Sequence, residues 1–367
     1  MKILFINDQF ERGGAGRVAA IQCNGLKQRG HTVVLVTDSL HWKETYHIDD
    51  SIPRREIVIK TTKPGIIAKL KKWLLCSKEI RKHIKAEQPD VIIAIQSMMF
   101  LCAYLGNLGL RIPIIAADHT SFNRRIDPII DYVRYHLYGK AEGLSILTEK
   151  DARLLGSKFP RKRVIYNPLS FPLIDKPSSN KKKNILCAGR LEDWKIKGFD
   201  IIIKIWADIC TEFDDWTLEI AGSGTESSVQ YIKSLLNDLG VSHRVRLLGQ
   251  VNDMRSLYAN SSIFALASRM EGFPMVLMEA MSQGCACVAF SIGGASSEMM
   301  EENSGIIVND DDCEGFKNSL KDLIKNDILR EELSLNAIRS VSKFSIDQFI
   351  DSWADYIDET QKKVDKI

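Results

Sequence analysis

None of the eight cysteines forms a C-x-x-C pair or stands at zinc-site spacing, which excludes a dithiol redox centre and a structural zinc module. Cys102, Cys187, Cys285 and Cys287 lie within apolar runs, so buried, reduced thiols are expected, as in a cytoplasmic protein. The opening MKILFIND meets an acid too early for a secretory leader. Long apolar runs are also scarce. Val91 to Leu110 is uncharged over about the length of a transmembrane helix. Gln96, Ser97, Asn107 and two glycines interrupt it, and it reads as a buried strand followed by a short helix. No repeat of solenoid length and no nucleic-acid-binding module is visible, and the basic residues lack interleaved aromatics for base stacking. The acid run Asp310–Asp312 reads as a solvated turn, and nothing visible requires a metal.

What is present is a globular chain of 367 residues, 45% hydrophobic and long enough for two domains. The formal charge of +3 hides a split. Up to residue 180 there are 29 Lys and Arg against 17 Asp and Glu; beyond it, 21 against 30. Such an asymmetry points the first half toward an anionic partner or surface.

Short β-branched runs alternate with amphipathic stretches throughout. KILFIN, TVVLVT, DVIIAI, IPIIAA, LSILT and RVIYN read as strands in the first half; KNILCAG, WTLEIAG, VRLLG, IFALAS, CACVAF and GIIVN in the second. Helical patterns between them predict an α/β protein with two Rossmann-like, doubly wound domains facing each other across a cleft. The Pro-, Ser- and Lys-rich FPLIDKPSSNKKKN marks a linker over 169–183. The expected division is therefore 1–168, linker 169–183 and 184–345, with a terminal amphipathic helix over 346–367 that joins the first domain.

Two stretches carry chemistry. In RGGAGRVA, Gly14, Gly16 and Ala19 fit the G-x-G-x-x-A phosphate fingerprint, with Asp38 near the place of a ribose-binding acid. A nicotinamide-dependent oxidoreductase would follow. However, DQFERG separates the first strand from the glycines, whereas a dinucleotide turn needs its first glycine directly after the strand. Backbone amides at a helix mouth still favour an anion. The second stretch is EGFPMVLMEAMSQG. Pro274 is expected at the first position of a helix, Glu279 about a turn and a half along it, and Glu271 in the loop before it. A carboxylate can accept both hydroxyl protons of a ribose, and amides near Phe273, Pro274 and Met275 can hold a diphosphate. Taken singly, Glu279 also fits a solvated helix position, and Glu271 a helix-start acid favoured by the dipole.

In order along the chain, GGAGRV, CAGRLEDWKIKGFD, IAGSGTE with Gly222 and Gly224, LLGQVND, EGFPMVLMEAMSQG and GGASSEM together resemble the retaining glycosyltransferases of family 4 type. These have the two-domain GT-B fold and an E-x7-E motif. The resemblance implies a transferase moving a hexose or N-acetylhexosamine from a nucleotide sugar, with UDP as the expected carrier. It also implies retention of configuration by same-face attack, assisted by the leaving phosphate and without a metal or other cofactor. Glu279 would hold the ribose, Glu271 would lie near the transferred sugar, and Arg190 and Lys197 would bind the diphosphate. Two residues separate this chain from the family spacing. Lys195 keeps the usual distance from Arg190, while Lys197 directly precedes Gly198; Lys197 is favoured. His119 resembles the family histidine that points toward the donor sugar, although Thr120 stands where Asp is common, and a structural histidine also fits.

The expected acceptor is a glycan, including one linked to polyprenyl diphosphate, in bacterial surface-polysaccharide assembly. The basic segment 68–87, with Trp73, Leu74, Leu75, Ile80 and Ile84 as an apolar stripe, fits a peripheral contact with an anionic membrane surface. It equally fits a surface helix whose leucines pack inward. A catalytically inactive nucleotide-sugar-binding protein is the remaining alternative.

Overall fold

The computed structural model describes residues 1–8, 10, 13–38, 46–57, 66–122 and 124–364. Close contacts divide the chain into two units, Met1–Pro168 with Ile346–Ile367, and Leu169–Ser345.

The first unit holds strands β1 (Lys2–Ile6), β2 (Thr32–Asp38), β3 (Arg54–Ile57), β4 (Val91–Ile95), β5 (Ile114–Ala117), β6 (Gly143–Ile146) and β7 (Lys162–Val164). Between them run α1 (Gly14–Gln28), α2 (Ile66–Glu87), α3 (Gln96–Asn107), α4 (Pro128–Tyr132) and α5 (Glu149–Leu155). The second unit continues with β8 (Lys182–Ala188), α6 (Phe199–Ile209), β9 (Thr217–Ala221), α7 (Glu226–Asp238), β10 (Val245–Gly249), α8 (Met254–Asn260) and β11 (Ser261–Leu266). Then come α9 (Met275–Ser282), β12 (Ala286–Phe290), α10 (Ala295–Met299), β13 (Ile306–Val308), α11 (Cys313–Lys325) and α12 (Asp327–Val341). The last helix, α13 (Ile346–Val364), returns to the first unit.

Both sheets are parallel throughout. Their orders are β3-β2-β1-β4-β5-β6-β7 and β10-β9-β8-β11-β12-β13, the doubly wound arrangement in each case. The order reverses between β1 and β4 in one unit and between β8 and β11 in the other. Ligands of such folds bind beyond the carboxyl ends of the strands at that point. Val91 to Leu110 divides as its sequence suggests, into β4 and α3. No helix among the described residues is long and apolar enough to cross a membrane.

The near-continuous apolar strands follow from coverage of both faces. Leu4, Ile6, Val34, Val36, Ile92 and Ala94 share one buried cluster with Ile80 and Ile84 of α2 and Phe100 of α3. The alternate residues Ile3, Phe5, Val33, Leu35 and Ile93 are equally buried. Helix α13 covers part of this unit. Ile350 packs where a Cβ on Gly25 of α1 would lie, and the Tyr356 hydroxyl accepts from Leu144 N at 2.7 Å.

The structure departs from or adds to the sequence pattern at three places. Strand β3, Arg-Arg-Glu-Ile, carries no apolar signal in the sequence and forms an edge. The second sheet starts at Lys182, inside the expected linker 169–183, because Lys182 already pairs with Ser261. Finally, the apolar stripe of α2 divides. Ile80 and Ile84 are buried and Trp73 packs on the core, but Leu74 and Leu75 are 56% and 58% exposed. Leu70, Lys69, Lys71 and Lys78 share that exposure.

Candidate active site

The loops after β8 and β11 meet at the switch point of the second sheet. Gly189 follows β8, and a Cβ there would lie 3.2 Å from Lys197 Cγ, so the lysine stem runs along this strand end. Gly198 has φ +68°, and a Cβ on it would come within 1.8 Å of Ala267 O, just after β11. Only glycine lets the two loops approach this closely. Gly222, at φ +152°, brings the end of β9 equally close to Gly189 O. Gly224 lies against Leu191 and Ser228, so a side chain there would push the following turn away.

Across this seam Lys197 Nζ donates to Glu271 Oε1 at 2.8 Å, and Ser268 Oγ donates to the same oxygen at 2.8 Å. The lysine and glutamate side chains are 19% and 12% exposed. Arg269 braces the arrangement. Its backbone N–H donates to Ile196 O, and its guanidinium spans both Asp200 oxygens at 2.7 and 2.8 Å. Lys195 is exposed, and its carbonyl is taken by Arg269. Of the two lysines, Lys197 stands at Glu271.

Arg190 differs in character. Its side chain is 65% exposed and pairs at 2.6 Å with Asp193, three residues on. An exposed guanidinium held by a single carboxylate is open to exchange for a stronger anion.

Helix α9 starts at Met275 rather than Pro274, which is its N-cap residue with ψ of 90°. Proline therefore directs the chain into the helix without belonging to it. The first amides of α9 lack intrahelical acceptors, as at any helix start. Phe273 is buried beside them and meets Phe344 edge-on. Glu279 sits on the same helix, only 5% exposed, with Oε2 accepting from Tyr258 O–H at 3.2 Å. A solvated glutamate it is not. Burial of a carboxylate costs several kcal/mol unless hydrogen bonds and partners offset it. Such a position serves recognition better than solubility.

In the first unit, Gly14 and Gly16 form the first turn of α1, with Gly13 as N-cap residue. Positions 7–13 separate β1 from this helix, so the dinucleotide spacing is absent. Arg12 lies outside the described residues. Asp38 ends β2 and is buried. His119 follows Asp118 at the end of β5, with both ring nitrogens buried and without a hydrogen-bonded partner among the described residues. Burial lowers its pKa below the ordinary imidazole value, with nearby Asp118 and Asn167 opposing this. The acid run has structural work: Asp310 accepts from the Ile292 and Gly293 amides, and Asp312 caps α11.

Sequence alone does not single out Tyr258, Ser268, Asp193 or Arg269. Ser268 lies three residues before Glu271, a spacing compatible with a shared turn. Tyr258 gives no signal, because only the tertiary fold brings α8 beside α9.

Comparison with known proteins shows the family and the fold. A profile described as Glycosyltransferase Family 4 matches residues 12–170, and one described as Glycosyl transferases group 1 matches 182–326. An uncharacterized glycosyltransferase of Haemophilus influenzae is 27% identical over 353 residues, 95% of this chain and 97% of the relative. A Campylobacter jejuni enzyme is 25% identical, with 98% and 99% of the two chains covered. It is named as an α-1,4-N-acetyl-D-galactosaminyltransferase acting on a glycan linked to undecaprenyl diphosphate. Among solved structures, Anabaena HepE in complex with UDP superposes with a TM-score of 0.81 at 19% identity, covering 98% and 100%. Sucrose-phosphate synthase of Thermosynechococcus elongatus gives 0.83 at 14% identity, covering 98% of each chain. Taken with the paired Rossmann-like sheets, these matches show that the chain belongs to the glycosyltransferases of family 4 type with the GT-B fold.

Proposed function

We propose that this protein transfers a hexose or N-acetylhexosamine, with retention of configuration, from a UDP-sugar to a glycan acceptor carried on a lipid diphosphate. The observation that carries this reading is the Lys197–Glu271–Ser268 cluster at the switch point, together with a buried Glu279 on the helix that follows Glu271.

The chemistry follows from charge. An entering diphosphate competes with Glu271 for Lys197, and the freed carboxylate can then accept from a sugar hydroxyl. Arg190 exchanges Asp193 for the same diphosphate. As the glycosidic bond breaks, negative charge grows on the departing phosphate, and fixed cations stabilise it most in the transition state. Two cations and the mouth of α9 supply this stabilisation without a metal. Glu279 accepts from the ribose hydroxyls, and His119, kept neutral by burial, acts as an uncharged polar group toward the sugar. On this reading the acceptor attacks from the same face, assisted by the leaving phosphate.

Support for the donor and acceptor comes from the relatives. HepE was solved with UDP, and the Campylobacter enzyme is named for a lipid-linked acceptor. The exposed leucines and lysines of α2 suit a peripheral position on an anionic membrane, where such an acceptor resides.

A thermal-shift screen against nucleoside diphosphates and their sugars tests the proposal. Stabilisation by UDP and by one UDP-sugar, and none by NADH or NADPH, is the expected result. Stabilisation by a reduced dinucleotide alone would sink it.

A further inference from the structure

One buried side chain makes four hydrogen bonds to the loop that carries His119. Arg134 is fully buried. Its Nε donates to Asp118 Oδ2 at 2.8 Å, Nη1 to Arg124 O at 2.9 Å, and Nη2 to Thr120 O and Ser121 O, each at 2.9 Å. The guanidinium also lies 4.4 Å over the Phe122 ring. The other oxygen of Asp118 accepts from Thr120 N at 2.9 Å. His119 therefore stands between two residues that a single cation ties together.

The neighbouring side chain completes the clamp. The Tyr135 hydroxyl donates to Phe122 O, and Asp151 accepts from Phe122 N at 3.2 Å. Arg134 and Tyr135 are consecutive, on a π-helical turn, Val133–Leu137, that directly follows α4. Such turns admit an extra residue into a helix and recur at functional sites. A charged group is costly to bury, and is kept only where partners offset the loss of water. Here the hydrogen-bond partners among the described residues all belong to the loop that runs from Asp118 to Arg124. A rigid support for this loop is what a buried guanidinium accomplishes that an apolar side chain could not.

We propose that Arg134 is a positioning residue for the transfer reaction, fixing the His119 loop through Asp118 and the carbonyls of Thr120, Ser121 and Arg124. The inference rests on the reading of His119 as a catalytic residue. Arg134 itself touches neither donor nor acceptor.

The test is a double-mutant cycle on the full chain with two readouts. One is the ring resonances of His119 among the seven histidines; the other is turnover of the UDP-sugar found in the thermal-shift screen. In Arg134→Lys, the His119 resonances should shift or broaden while those of the exposed histidines stay in place. Turnover should fall about tenfold to a hundredfold, since small misplacements cost that much, with KM for the donor changed by less than about twofold. In a His119→Ala chain the same Arg134→Lys change should cost less than about twofold more. An equal fall with and without His119, or an unmoved His119 resonance, would overturn the proposal. Should Arg134→Lys fail to fold, Tyr135→Phe removes one bond to the loop and keeps the buried charge, and the same results in that variant support or overturn the proposal. Full turnover by His119→Ala would also overturn it, and UDP affinity of that chain would show whether the transferase reading survives.

Discussion

At the scale of single residues, the proposed roles of Glu279 and Arg190 go with different surroundings. Glu279 is buried on a rigid helix with Tyr258 already bonded to it. Arg190 is mostly exposed and paired within its own loop. The two should therefore fail differently. Glu279→Gln is expected to weaken UDP binding by about 1–3 kcal/mol, the worth of a hydrogen bond to a charged group. Arg190→Ala should instead lower turnover more than UDP affinity, because the charge it meets grows in the transition state. Calorimetric UDP titration and steady-state rates on both variants check this; equal effects on binding and turnover in both would contradict the division of roles. His119 makes a prediction about pH. Its folded pKa lies below its unfolded value, so the unfolded chain takes up the proton more readily. The stability of the neutral, buried ring is thus present above about pH 6.5 and is lost as pH falls below that unfolded value. The drop in urea midpoint between pH 7.5 and 5.5 should be smaller in His119→Gln than in the unaltered chain.

At the scale of elements, the meeting of two loops matters more than any one helix. Gly198 permits the contact by its left-handed backbone and its missing Cβ. Gly198→Ala would meet both the left-handed penalty of about 1–2 kcal/mol and a clash with a backbone oxygen. Donor affinity should fall with stability, because the loop bearing Lys197 must move away from Glu271; an unchanged UDP affinity in thermal-shift titration would contradict this. The strands facing the core were legible because both faces are covered and apolar runs result. Strand β3 was not, since Arg54, Arg55 and Glu56 occupy an edge where alternation gives no signal. The E-x7-E region stood out through its resemblance to a family motif, since its two glutamates taken singly also fit ordinary helix-start and surface positions. The contacts of Tyr258 and Arg134, by contrast, are encoded in no local pattern. Lys197 over Lys195 could be favoured from its place before Gly198, but its ion pair with Glu271 needed the fold. Helix α2 shows the same limit: its periodicity was visible, yet which leucines face outward depended on where α3 packs. Its exposed face yields a further prediction. Changing Lys69, Lys71 and Lys72 to Glu should weaken sedimentation with vesicles rich in anionic phospholipid and leave UDP binding unaltered. Undiminished sedimentation would leave α2 as a plain surface helix.

At the scale of the whole molecule, the chain crosses from one unit to the other and back. The last helix completes a core begun more than three hundred residues earlier, so the stability of the first unit depends on the end of the chain. Trp353 and Ile357 of α13 are buried, Arg29 reaches Asp347 and Asp351, and Arg163 reaches Glu359. The exposed ion pairs contribute little, about 0–1 kcal/mol each. The Tyr356 hydroxyl is a better anchor, because it accepts from Leu144 N and donates to Arg161 O, linking the starts of β6 and β7 to the helix. Tyr356→Phe keeps the ring and removes the hydroxyl that ties the helix to Leu144 N–H and Arg161 O, which still pair with each other at 3.1 Å. The expected cost is therefore that of a net hydrogen bond, about 0.5–1.5 kcal/mol. Since each unit has its own core, that loss should fall on the first and spare the second. Hydrogen exchange read by mass spectrometry on the full chain separates the two. Peptides from β6, β7 and α1 should exchange faster in Tyr356→Phe, while those from β8, β11 and α9 keep their protection and UDP affinity stays constant. Faster exchange spread evenly over both units would mean that they unfold together, and the division of stability drawn from their separate cores would be wrong.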